Sequence, residues 1–101
     1  MVTQKFDIYT DDSFYFFVTV RDNSVFVHCE IFKWSNNVLR RMLNVFSLFS
    51  FRMSELGYSE LYAISKETKL VELFGGRFVK AFESDNDYGV YKWDLTQTQD
   101  S

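Results

Sequence analysis

The sequence predicts one α+β domain, built on a mixed sheet of five or six strands with one long and one short helix. Apolar and polar side chains alternate in the first third of the chain and again near its end, as in strands with one buried face. Between these regions, apolar residues recur at helical spacing over roughly twenty residues. A length of 101 residues suits one core, so we assign residues 1–95 to a single domain and 96–101 to a polar tail.

The first three strands are predicted at residues 5–9, 14–21 and 25–34. Alternation is regular in the second and third of these, and both are rich in β-branched and aromatic residues. The polar run 22–24 between them is short enough for a hairpin turn. These two strands therefore form a predicted antiparallel pair.

A long helix is predicted from Asn36 to the residues before Gly57, because apolar residues follow one another at steps of three and four. This apolar stripe consists of Leu39, Met42, Leu43, Phe46, Phe49, Met53 and Leu56. Four further apolar residues fall outside the stripe, namely Val38, Val45, Leu48 and Phe51. The middle of the helix is thus apolar on more than one side, and one sheet cannot cover all of it.

The rest of the chain is predicted to contain a strand, a short helix and two more strands, at residues 59–64, 66–74, 77–83 and 88–95. Ser65 is the expected N-cap of the short helix, and Gly75 and Gly76 end it. A polar turn is expected at 84–87. The complete order is β-β-β-α-β-α-β-β, in which the long helix connects two parallel strands.

Charge and cysteine content exclude several classes of function. Eleven Lys and Arg against fourteen Asp and Glu give a net charge of −3, which disfavours binding to nucleic acid or to an anionic membrane. Cys29 is the one cysteine, so an internal disulfide is excluded and a reducing cytoplasm is expected. Neither a signal peptide nor an apolar run long enough to span a membrane is visible. The spacing of His28 and the carboxylates matches no metal site.

The order of elements and the segment 69–78, in which a helix closes on glycines and leads into a strand, resemble the GNAT superfamily of acyl-CoA N-acyltransferases. The resemblance covers roughly residues 14–95. It implies acetyl-CoA as cofactor, with the pyrophosphate held by backbone N–H groups at the start of the long helix. Shortened GNAT-like chains such as this one also resemble small proteins of tailed bacteriophages, both virion components and inhibitors directed at the host.

Residues carried over from that family depart from its pattern at two places. The family places glycines in the loop that binds pyrophosphate, and this chain has Asn37 and Leu39 at those positions. The family's tyrosine acid falls at Val71, which cannot donate a proton. If the chain is an enzyme, the resemblance implies Glu30 as general base. The cofactor would then lie against the third strand and against Asn36, Asn37, Arg40 and Arg41.

Several of these residues also have an ordinary structural interpretation. Arg40 and Arg41 lie in the first turn of the long helix, where an anion would offset their unfavourable interaction with the helix dipole, but solvated side chains are the favoured interpretation. His28 and Glu30 project from the same side of one strand, which is also what a polar strand face looks like. Cys29 alternates with apolar neighbours, which predicts a buried structural thiol.

Aromatic residues are abundant enough to raise two further hypotheses. Four of them could form a stacking platform for single-stranded nucleic acid, but core packing is the favoured interpretation for Tyr15, Phe17, Phe26 and Phe32. The other hypothesis is a protein interface at Val45, Leu48, Phe51, Tyr91 and Trp93.

The preferred interpretation is a non-catalytic interaction module that binds a protein partner or a second copy of itself, without cofactor or metal. It would act in the cytoplasm, or in the host cytoplasm or virion if a phage encodes it. The alternative is an acetyl-CoA-dependent N-acyltransferase. Leu39 separates the two interpretations, because an active enzyme needs an open helix start at that position.

Overall fold

The computed structural model describes residues 3–95 and has the predicted order of elements, so the α+β assignment is confirmed. Residues 96–101, assigned to a polar tail, lie outside the described part. The elements are β1 (Gln4–Thr10), β2 (Phe14–Arg21), β3 (Ser24–Ile31), α1 (Asn36–Glu55), β4 (Glu60–Ser65), α2 (Thr68–Leu73), β5 (Arg77–Phe82) and β6 (Asp85–Asp94).

The six strands form one sheet in the order β1-β2-β3-β4-β6-β5. Neighbouring strands are antiparallel except β3 and β4, which are parallel and pair at one position, Phe26 with Tyr62. The sheet therefore consists of two antiparallel half-sheets, the first made of β1, β2 and β3 and the second of β4, β6 and β5. We call the short parallel contact between them the seam.

The predicted hairpin between β2 and β3 is confirmed, and its turn residues explain it. Asp22 and Asn23 have φ values of 53° and 65°, which are in the left-handed region. A two-residue hairpin of the type that follows strand twist needs positive φ at both central positions, and Asp and Asn tolerate it better than other residues. The full pairing of β2 with β3, from Phe14 opposite Ile31 to Arg21 opposite Ser24, follows from this turn.

Three local expectations are wrong. β3 ends at Ile31 and does not extend to residue 34. β6 begins at Asp85, opposite Phe82, so the hairpin turn is tighter than the predicted 84–87 loop. Ser65 is the last residue of β4 and does not cap α2. Its hydroxyl instead accepts a hydrogen bond from the Glu67 N–H at 2.9 Å, which forms a local turn before the helix.

Helix α1 begins after an N-cap residue, Ser35, and one side of the helix is buried. The Ser35 hydroxyl accepts a hydrogen bond from the Val38 N–H at 3.1 Å, and Gly57 follows the helix with φ of 97°. The buried residues are Val38, Met42, Phe46, Phe49 and Met53. The predicted stripe was wrong at its two ends, because Val38 takes the place assigned to Leu39, and Leu56 is exposed.

Phe46 is the centre of the core, and it touches both half-sheets. Its ring makes an edge contact with Phe16 of β2 at 6.3 Å between centroids, and it lies 5.1 Å from the ring of Trp93 of β6. It also contacts Phe74, just after α2, at 5.6 Å. One side chain of α1 thus links the first half-sheet, the second half-sheet and the end of α2.

Tyr91 and Trp93 belong to this core, so their assignment to an interface is wrong. Their residues are 1% and 8% exposed. Burial is tolerated because both polar tips have partners: the Tyr91 hydroxyl lies 2.6 Å from the Thr68 hydroxyl, and the Trp93 N–H donates to the Phe74 carbonyl at 2.9 Å. Of the residues proposed for an interface, Tyr91 and Trp93 therefore do not add to the exposed apolar surface.

Both helices lie against the sheet face that carries Phe16 and Trp93, and we call the opposite side the open face. Tyr15, Phe17 and His28 stack there in a row, with ring centroids 4.8 Å and 4.6 Å apart. The expectation that Tyr15, Phe17, Phe26 and Phe32 pack in the core is wrong. The first three are half-buried on the open face, and Phe32 is exposed after β3.

We expect Phe46→Ala to lower the free energy of unfolding by about 3–5 kcal/mol, because it opens a cavity between α1 and both half-sheets. Leu48→Ala is the matched control on the same helix, where the side chain is exposed and the change should stay within about 0.5 kcal/mol. Urea denaturation followed by circular dichroism measures both. Equal effects of the two substitutions would contradict the packing described here.

Candidate functional site

A cleft opens where the two half-sheets diverge beyond the seam. The carboxyl ends of β3 and β4 are not paired after Phe26 and Tyr62, and a cavity of about 280 Å³ lies between them. Strand ends, α1 and α2 all contribute to its walls. The lining includes Val27, His28, Cys29, Glu30, Met42, Phe46, Ala63, Ser65, Glu67, Val71 and Trp93.

The deep part of the cleft is apolar and its rim is polar. Met42, Phe46 and Val71 come from the core, whereas Glu30 and Glu67 are exposed. An apolar cavity with a few convergent polar groups is the usual form of a small-molecule site. The cleft therefore suits a slender apolar group that carries a polar or cationic end, because the carboxylates lie at the opening.

Glu30 and His28 are on the same side of β3, as predicted, opposite Tyr15 and Phe17 of β2. His28 is already engaged: its Nε2 lies 3.0 Å from the Thr19 hydroxyl, and its ring stacks on Phe17 at an angle of 8°. Burial lowers the pKa of His28, and the charge of Lys5 lowers it further. His28 is consequently neutral at pH 7 and serves the packing of the open face.

Cys29 lies beside the cleft and is exposed, so the prediction of a buried thiol is wrong. The physical reason is the divergence of β3 from β4, which leaves this end of the helix-facing side uncovered. Partial desolvation by the cleft wall raises the pKa of the thiol to about 11, and the charge of Glu30 adds to the shift. The thiol is protonated at neutral pH and is a poor nucleophile.

The start of α1, where the family resemblance implies a pyrophosphate site, is partly occupied by the protein's own groups. Asn36, Asn37 and Arg40 are exposed and Leu39 is half-buried. The Ser35 hydroxyl takes one of the N–H groups that an anion would need, as described above. Three of the four residues expected to contact the cofactor are therefore exposed to solvent. The N-terminus of the helix, however, is already capped by Ser35.

Arg41 forms an ion pair with Asp11, at 3.1 Å between Nη2 and Oδ2. Asp11 also accepts hydrogen bonds from the Ser13 and Phe14 N–H groups and from the Tyr9 hydroxyl. The bond from Ser13 is the largest cause that lowers the pKa of Asp11 to about 2. Asp11 thus connects the β1–β2 loop to α1. The sequence marked this loop as a turn and gave no sign of the long-range pair.

The expected interface residues on α1 are placed differently from those on β6. Leu48 and Phe51 are 69% and 61% exposed, and they are three residues apart on the helix, so they lie side by side. Val45 is half-buried and packs against the core. We call Leu48 and Phe51 the α1 patch. It lies on the solvent side of the helix, away from the cleft lining.

Comparison with protein-family models, with curated proteins and with solved structures finds no match for this chain. Among residues 3–95, no helix combines the length and apolar character required to cross a bilayer. The same residues contain no cluster of three His, Cys, Asp or Glu side chains suited to a metal ion.

We expect stability to fall as the pH is lowered from about 7.5 towards 5.5, in part through His28. The folded pKa of His28 lies below the ordinary value of 6.5, so the unfolded chain takes up the proton first and is favoured. The stability that His28 provides is present above pH 6.5 and is lost as the pH falls through the lower folded pKa. His28→Gln, which retains a hydrogen-bonding group but does not titrate, should reduce the slope.

Urea midpoints at several pH values measure this effect. Carboxylates such as Asp11, whose pKa is about 2, titrate below the window and do not obscure it. An identical slope in wild type and His28→Gln would show that His28 does not contribute.

Proposed function

We propose that this protein is a non-catalytic interaction module on a degenerate GNAT-like scaffold, which binds a protein partner through the α1 patch. The observation that carries the proposal is the exposure of Leu48 and Phe51, on the side of α1 opposite its buried residues. Two large apolar side chains side by side in solvent gain free energy when another surface covers them. Each contributes roughly 1.5–3 kcal/mol when it is buried.

The surroundings of the α1 patch have the composition of an interface. Phe51 provides an aromatic side chain of the kind that anchors protein complexes, and Leu48 widens the apolar centre. Asn44 and Ser47 are exposed next to it, and Arg52 forms a weak ion pair with Glu55 at 3.7 Å. An apolar centre with a polar rim is the usual arrangement for an interface between proteins that also exist separately in water.

The GNAT-like part of the proposal is supported by the order of the elements. It is also supported by β3 and β4, two diverging parallel strands that the long helix α1 connects along the chain. Three features favour loss of catalysis. The α1 start is capped by Ser35, Arg41 is held by Asp11, and the position of the family's acid is the buried Val71. We propose further that the setting is a phage-infected bacterium, with the protein in the virion or directed at a host protein in the cytoplasm.

A second function is favoured by one observation, namely the cleft. If the protein is an acetyl-CoA-dependent N-acyltransferase, the acyl arm would enter between β3 and β4, with Glu30 at the opening to take a proton from an amine. Asn36, Asn37 and Arg40 would be the residues available to the phosphates, because they are exposed at the start of α1. This reading leaves the α1 patch without a role.

The first function predicts that Leu48→Glu and Phe51→Glu each abolish binding to the partner while the protein stays folded, since the side chains do not belong to the core. Lys69→Glu, an exposed change on α2, is the matched control and should leave binding intact. Sedimentation across concentration detects self-association, and affinity capture from bacterial lysate detects other partners. Circular dichroism checks the fold. If Leu48→Glu unfolds and the wild type stays monomeric and captures nothing, the α1 patch is part of the core and the proposal fails.

The same function predicts that acetyl-CoA at about 1 mM does not raise the melting temperature, because the helix start is capped and Leu39 obstructs it. Thermal-shift titration measures this directly. A dose-dependent rise would favour the acyltransferase. In that case Leu39→Gly should enlarge the rise, and Glu30→Gln should abolish turnover without preventing binding.

A further inference from the structure

The two edges of the sheet differ in the charges that they expose. β1 and β5 are the terminal strands of the sheet order. β5 carries the cations Arg77 and Lys80, and its pairing with β6 is irregular at two places. β5 contains no acidic residue, so two copies of β5 placed side by side would form no ion pair between them. β5 is therefore poorly suited to pair with another β5.

β1 is exposed along most of its length and carries one charge of each sign. Phe6, the third residue of β1, is 47% exposed. Lys5 and Asp7 flank it and both project from the open face, because their partners on β2 are Thr19 and Phe17. Phe6 points to the opposite side, where it is paired with Val18.

Lys5 and Asp7 are held in place by the open face. The Lys5 ammonium lies 4.6 Å from the centre of the Phe17 ring and 5.3 Å from that of Tyr15. The Tyr15 hydroxyl donates a hydrogen bond to Asp7. The two charges are thus ordered on the same side of the strand, two residues apart, before any partner arrives.

We propose that β1 pairs with β1 of a second copy of this chain, antiparallel and with Phe6 opposite Phe6 at a twofold axis. In this register Lys5 of each copy lies opposite Asp7 of the other, so two ion pairs form on the open face. The partner is a second copy because the charge pattern is complementary to itself. The two six-stranded sheets then become one continuous sheet with the helices of both copies on the same side.

Charge selects this register over its neighbours. A twofold axis perpendicular to the sheet keeps each face on its own side, so the pairing must be centred on a residue. Centring on Lys5 places Lys5 opposite Lys5, and centring on Asp7 places Asp7 opposite Asp7, and both are unfavourable. Centring on Phe6 pairs opposite charges at both positions.

The contact is limited in length. The pairing of β1 with β2 shifts between Asp7 and Tyr9, so Ile8 forms a bulge. Bulges commonly end the pairing of an edge strand. The pairing therefore spans about five residues on each strand, from Gln4 to Ile8, which corresponds to a weak and reversible dimer.

Sedimentation velocity across concentration tests the proposal with a charge swap. Lys5→Asp and Asp7→Lys should each raise the dissociation constant of the dimer about tenfold, because each replaces two attractions by two repulsions. The double variant Lys5→Asp/Asp7→Lys should restore association, since each cation again faces a carboxylate. Melting curves confirm that every variant is folded at the temperature of the measurement.

Cross-linking tests the register independently. In a Cys29→Ser background, Phe6→Cys should form a disulfide dimer under mild oxidation, because residue 6 lies opposite itself. Gln4→Cys is the matched control. In the proposed register the two residues 4 lie about 14 Å apart, which is beyond the reach of a disulfide.

Three outcomes would overturn the proposal. The first is a wild type that remains monomeric at high concentration and gives no Phe6→Cys cross-link. The second is an open-ended series of oligomers that Arg77→Asp abolishes, which would indicate pairing of β1 with β5. The third is a dimer that Leu48→Glu dissociates and the charge swap does not affect, which would place the contact at the α1 patch and support the proposed function instead.

Discussion

The apolar side of α1 holds the two half-sheets together, and the rest of the structure depends on that contact. The seam provides one paired position between β3 and β4, so backbone hydrogen bonds alone join the halves weakly. Phe46 compensates by touching Phe16 in one half and Trp93 in the other. The cleft exists for the same reason: the strands can diverge beyond the seam because the helix, and not the ladder, sets their spacing.

Periodicity in the sequence was sufficient to identify every element and its type, because alternation and helical spacing are local properties. It could not say which apolar positions would be covered. Cys29 shares a face with buried neighbours yet is exposed, since coverage depends on where β3 leaves β4. Tyr91 and Trp93 are buried for the converse reason, as α1 and α2 both pack over β6.

The candidate site was predictable to a similar degree. Glu30 and His28 lie on one side of β3 because strand geometry requires it, and Leu48 and Phe51, which fall outside the predicted stripe on α1, are exposed. The pairing of Arg41 with Asp11 and the opening of the cleft both join residues that are distant in the sequence. Contacts of that kind follow from the order of strands in the sheet, which periodicity does not encode.

The short seam also bears on how the folded molecule opens. Within the first half-sheet, each strand pairs with its neighbour along the chain, so its contacts are local and form early. The seam brings Phe26 to Tyr62 from opposite ends of α1 and needs that helix in place. Partial unfolding should therefore begin with the two half-sheets moving apart while each retains its own ladder. The volume of the cleft would then vary with this motion, and a molecule bound there would restrain it.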